Sequence, residues 1–152
     1  MADPLDIETL LHRGRIADVI NTLFVSTDAR DWSQVRRCFA PDVTFDMTSL
    51  AGGEPAQLTP AAISSAWETG LEPIEHIHHQ VGNLLVTVKG DEAVASCHGV
   101  AWHYRRVQSG NNTRMFVGSY DFVLRLMEGM WRINLFRFNL KFIQGNRDLE
   151  NE

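Results

Sequence analysis

Apolar residues between Asp6 and Ala29 recur at helical spacing: Ile16, Val19, Ile20, Leu23 and Phe24 share one face. Gly14 interrupts the segment, which predicts a bend or a separate first helix. A short second helix is expected near Asp31 to Phe39, with Asp31 as N-cap and Trp32, Val35 and Phe39 on its apolar side. Ala40-Pro41-Asp42 ends it, and Val43 to Met47 alternates like a short strand. Ala51 to Pro55 reads as a loop. Thr59-Pro60 is a helix start, with the end expected near Gly70. From Glu75 onward the period changes to two. Leu84 to Val88 leads into a turn at Lys89-Gly90-Asp91, followed by strands over Ala93 to Arg106, Arg114 to Met127 and Trp131 to Phe142. Glu128-Gly129 predicts a tight hairpin. Gln144 to Glu152 is polar and reads as a frayed tail. The order predicts an α+β fold, a strongly curved antiparallel sheet packed on N-terminal helices. The opening between such a sheet and its helices is a natural pocket.

Composition narrows the partners. The 152 residues make one ordinary domain with a real core, 1–152. Fourteen Lys and Arg against nineteen Asp and Glu give a net charge of -5, which argues against nucleic acid. No apolar run is long enough to span a membrane, and Met1 to Asp6 lacks the order of a signal peptide. Two cysteines, Cys38 and Cys97, form no disulfide framework. A soluble cytoplasmic protein with a small-molecule partner is the expectation.

Two residues carry the candidate chemistry. Asp28 lies four after Phe24, itself four after Ile20, so a continuing helix points it inward from the negative end of the helix dipole. A carboxylate there needs a partner; the alternative is a frayed, solvated end. His76-Ile77-His78-His79 is the second element. Strand geometry puts His76 and His78 on one face and His79 on the other with Ile77 and Val81, which argues against a three-histidine metal site. On that apolar face His79 is either a hydrogen-bonded core residue or a poised base. Trp102 and Tyr104 share a strand face, as do Tyr120 and Phe122. With Phe45 and Met47 they form either core or the wall of a pocket for a flat ligand. No nucleotide motif occurs, so no cofactor and no metal are expected.

The chain resembles the SnoaL-like family of the nuclear-transport-factor-2-like superfamily. The likeness runs from about Ile7 to Phe142. It is carried by Arg15-Ile16-Ala17-Asp18, Asp28-Ala29-Arg30-Asp31-Trp32, Phe39-Ala40-Pro41-Asp42-Val43, His79-Gln80-Val81-Gly82-Asn83, Gly90-Asp91-Glu92-Ala93 and Glu128-Gly129-Met130-Trp131-Arg132-Ile133. The segment Asp31 to Ser49 is most similar to scytalone dehydratase. The resemblance implies a cone-shaped barrel with an interior site in which Asp28 holds and polarises the base His79. It implies a cofactor-independent lyase acting by elimination on a small cyclic or aromatic hydroxylated substrate. Met47, Trp102, Tyr104, Tyr120 and Phe122 are the substrate-binding candidates. Where scytalone dehydratase has two tyrosines this chain has Thr27 and Met47, and its second histidine matches Tyr104, or His103 across a bulge. Tyr104, Tyr120 or His98 is the candidate acid. An isomerase or cyclase of the same fold, or a non-catalytic small-molecule-binding dimer, is the alternative. Trp131, Ile133 and Leu135 alternate against Phe136, Phe138, Leu140 and Phe142, which predicts two apolar faces and a homodimer or homotrimer.

Overall fold

The computed structural model describes residues 6–152. Asp6 caps α1 (Ile7–Asp28) by accepting from the Thr9 N–H at 3.3 Å. Nothing crowds Gly14, and the helix runs through it unbroken. The stripe Ile16, Ile20, Leu23 and Phe24 is buried, as its spacing predicts. Arg30, in the left-handed region at φ 57°, ends the helix and turns its guanidinium onto the Leu71 and Ile74 carbonyls. That bond ties the end of α1 to the segment after a later helix. Asp31 caps α2 (Trp32–Arg37), accepting from the Gln34 N–H at 3.1 Å. Thr59 does the same for Ala62 at the head of α4 (Pro60–Leu71), where Pro60 fills a position that needs no donor. Between them lie β1 (Phe39–Asp46), a single turn α3 (Thr48–Ala51) and a short β2 (Ala56–Leu58). Four long strands follow: β3 (His76–Lys89), β4 (Glu92–Tyr104), β5 (Thr113–Met127) and β6 (Met130–Gly145). Glu128 and Gly129 both have positive φ, 52° and 77°, as a two-residue hairpin turn requires.

The strands form one open sheet in the order β2-β1-β6-β5-β4-β3. It is mixed rather than purely antiparallel, and it does not close into a barrel. β1 runs parallel to β6, with Phe45 beside Phe136. β1 starts at Phe39, earlier than its alternation suggests, because Phe39 already pairs with Ile133. The helices cover the inner face, where Phe122, Leu124, Ile133 and Phe136 meet the α1 stripe.

Two expectations for the C-terminal third are corrected. Register shifts in the β5–β6 pairing leave Asn134 and Lys141 as extra residues. Each bulge flips the side-chain alternation. Trp131, Ile133, Phe136 and Phe138 therefore all face inward and are buried, not split between two faces. The polar tail is also packed. Leu149 is fully buried with Ile74, Ile77 and Val107. Arg105 donates to the Leu149 and Glu150 carbonyls at 3.0 and 2.7 Å.

Candidate functional site

Beneath the helices the curved sheet encloses a cavity of about 450 Å³. Its walls are mostly aromatic: Phe24, Trp67, Phe116, Tyr120, Phe136 and Phe138. Two glycines allow that floor. A Cβ on Gly99 would overlap the Tyr120 ring, and one on Gly118 would overlap the Phe138 ring and the Asn139 carbonyl. Both rings thus lie flat against the sheet. Gly99→Ala is expected to displace Tyr120 and lower stability by about 1–3 kcal/mol in urea unfolding; an unchanged midpoint would show that the ring can shift freely.

Asp28 is the last residue of α1 and points inward. Its Oδ1 lies 2.6 Å from His79 Nδ1, and its Oδ2 accepts from the His79 backbone N–H at 2.8 Å. These two donors offset the unfavourable helix terminus. A carboxylate only accepts, so Nδ1 carries a proton, and in the neutral ring Nε2 keeps the lone pair. The Phe24 ring lies 5.3 Å from the imidazole, centroid to centroid, and holds it from the other side. His79 lines the cavity and its side chain is 13% exposed. His76 and His78 lie on the opposite, outer face against Tyr104 and Trp102. Among the described residues no three His, Cys, Asp or Glu side chains gather as a metal site. Burial pushes the Cys38 and Cys97 thiols up to about 11 and about 12, so neither is a ready nucleophile.

The structure sorts the remaining candidates by strand face. Met47 and Tyr120 line the cavity. Phe122 is buried in the core behind Tyr120 and does not reach the cavity, and Phe45 stacks on Phe136. Trp102, Tyr104 and His98 are corrections. On β4 the buried positions are Ala93, Ala95, Cys97, Gly99, Ala101 and His103, so the even-numbered residues face out. Trp102 is 37% exposed, and His98 pairs outside with Asn83 at 3.0 Å. The histidine that reaches the cavity is His103, two residues from Ala101, the cross-strand partner of His79. Tyr120 is buried and its hydroxyl has no partner among the described residues. Burial pushes its pKa up, which keeps it a proton-bearing donor. Arg114, Arg147 and Glu150 also line the cavity and were invisible as site residues from spacing.

Burial, and then the Arg114 charge, push the His103 pKa down to about 3 from the ordinary 6.5. Between those values an unfolded chain takes a proton that the folded chain refuses. This contribution to stability is therefore complete above about 6.5 and is lost as pH falls toward 3. His103→Gln is expected to flatten the acid-side decline in urea-measured stability; identical declines would assign the proton uptake to other groups.

The SnoaL-like domain model matches residues 8–137, and the chain belongs to that family. No curated protein sequence matches it. Among solved structures, the Kfla4162 protein from Kribbella flavida superposes with a TM-score of 0.88 at 21% identity, covering 97% of this chain and 100% of that one. A candidate scytalone dehydratase from Novosphingobium aromaticivorans gives 0.78 at 15% identity, covering 91% and 90%. The hexachlorocyclohexane dehydrochlorinase LinA-type3 from Novosphingobium barchaimii gives 0.78 at 14% identity, covering 93% and 94%. At these identities the likeness establishes the fold alone, a curved sheet covered by helices. No helix among the described residues is long and apolar enough to cross a membrane.

Proposed function

We propose that the chain is a cofactor-independent lyase that eliminates water or another leaving group from a small cyclic or aromatic substrate. The carrying observation is the Asp28–His79 hydrogen bond at the wall of an aromatic cavity that Tyr120 also lines. His79 Nε2 takes a proton from carbon next to an activating group, and Asp28 stabilises the imidazolium that forms. Tyr120 supplies a hydrogen bond to the oxygen on which charge develops or that departs. The Phe24 and Tyr120 rings, with centroids 4.8 Å apart, form part of the apolar wall next to the base. The presence of dehydrochlorinase and dehydratase folds among the structural neighbours agrees with this reading.

The test is a panel of β-hydroxy cyclic ketones followed by ultraviolet absorbance. The lyase reading expects a conjugated enone to appear with loss of water. Movement of a double bond without water loss would replace it with an isomerase. Saturable binding of the panel with no chemistry would leave a binding protein.

A homodimer or homotrimer is proposed on different grounds from the two-faced β6. Leu85, Val94, Trp102 and Phe142 are exposed apolar side chains on strands β3, β4 and β6. Val100, Val117 and Phe142 form a row across the outer face. A second copy would cover that patch. Sedimentation at micromolar concentration should give a multiple of 17.2 kDa; a monomer rejects the proposal.

A further inference from the structure

His103 has an environment unlike that of His79. Its Nδ1 lies 3.1 Å from Arg114 Nη2, and both side chains are buried. A guanidinium has donors and no acceptor. Nδ1 must therefore accept, and the neutral ring carries its proton on Nε2. Protonating the ring would require a proton on Nδ1 facing the guanidinium, which is the geometric reason that His103 stays neutral. Nε2 has no acceptor among the described residues. The atom is not sealed inside the protein, so it keeps access to the cavity that the ring lines.

Arg114 is itself held in place. Nη1 donates to the Arg147 carbonyl at 3.2 Å and pairs with the Glu150 carboxylate. The guanidinium stands 5.0 Å from the centre of the Phe116 ring. The C-terminal segment that supplies Glu150 is anchored by buried Leu149 and by Arg105. The charged or titratable groups around His103 are Arg114 on β5, Arg147 and Glu150 from the C-terminal segment, His79 on β3, and Asp28 and Arg30 at the end of α1.

We infer that Arg114, anchored by Glu150, is a positioning residue that fixes His103 as a neutral Nε2–H donor and so commits this end of the cavity to an acceptor oxygen of the ligand, such as the carbonyl of a ring ketone. The inference rests on the proposed reading of the cavity as a substrate site and narrows the substrate class. A base and a donor then occupy one pocket as two histidines with opposite free nitrogens. Asp28 takes the Nδ1 proton of His79 and leaves a lone pair; Arg114 fills the Nδ1 lone pair of His103 and leaves a proton. Keeping His103 uncharged also spares His79 a cationic neighbour.

The test needs no turnover, so it is independent of whether elimination occurs. Binding of α-tetralone is compared with that of tetralin, the same bicycle without the oxygen, by quenching of tryptophan fluorescence. In parallel, long-range proton–nitrogen spectra report the tautomer of His103. The wild type should hold the Nε2–H form without titrating between about pH 5 and 8. His103→Leu should lower the preference for the ketone by about three- to tenfold while tetralin binding changes little. Arg114→Met should lower the same preference and let His103 titrate in that range. If Arg114→Met does not fold, Glu150→Gln loosens the guanidinium without removing it, and should lower the ketone preference while His103 stays untitrated in that range. A proton on Nδ1 in the wild type, or a ketone preference that survives His103→Leu, would overturn the inference. Ketone discrimination together with no elimination from the β-hydroxy ketone panel would sink the lyase reading and leave this one standing.

Discussion

Replacing His79 with alanine is expected to lower turnover by about 10²–10⁴-fold, the usual worth of a positioned general base. The other lining groups are poorly placed to substitute: the Glu150 carboxylate is paired with Arg114. His103 presents a proton rather than a lone pair, and burial keeps the Tyr120 hydroxyl protonated. The loss should fall on kcat, because the aromatic walls that bind the ring are untouched. Only the neutral imidazole of His79 accepts a proton. Equal turnover by the two proteins would place the base elsewhere.

The second large effect is at Asp28, and it is double. Both carboxylate oxygens accept from His79, one from the ring and one from the backbone. Asp28→Asn has one acceptor for two donors. If the amide oxygen keeps the backbone N–H, the NH₂ group faces Nδ1, and the ring proton is driven to Nε2, where the lone pair is needed. A fall in kcat of about ten- to a hundredfold is expected, smaller than for His79→Ala because a fraction of molecules keeps the working tautomer. The lost charge-assisted bond should also cost about 1–3 kcal/mol of stability. Kinetics and urea unfolding of the same preparation separate the two. Full activity with lowered stability would make Asp28 a clamp between α1 and β3 and nothing more.

The dyad was legible because both of its elements obey simple periods. Asp28 continues the Ile20, Phe24 spacing of a helix that stays regular to its last residue, and His79 shares strand parity with Ile77 and Val81. The wall of the pocket was legible only at Met47 and Tyr120, and β4 shows why. Its inner face carries Ala93, Ala95, Cys97, Gly99 and Ala101, small residues over which rings from other elements lie, while bulkier Val94, Val100 and Trp102 face outward. Reading the larger side chains as interior therefore inverts the strand. The run of small residues at alternate positions was the available signal. The bulge at Asn134 breaks the alternation of β6 in the same way, and neighbouring sequence gives no warning of it. The parallel pairing of β1 with β6 joins segments about ninety residues apart and leaves no local mark. Arg114 and Glu150 meet only because Leu149, one apolar residue in a polar tail, finds a separate small core.

In the proposed reaction His79 Nε2 removes a proton from carbon beside a ring carbonyl held in this cavity. The most direct measurement is hydrogen–deuterium exchange at the carbon next to the carbonyl of α-tetralone in heavy water, followed by NMR, because it needs neither a leaving group nor the natural substrate. The wild type should accelerate exchange well above the buffer rate, and His79→Ala should return it to that rate while still binding the ketone. Equal acceleration by both proteins, or none by a wild type that binds the ketone, would contradict the account.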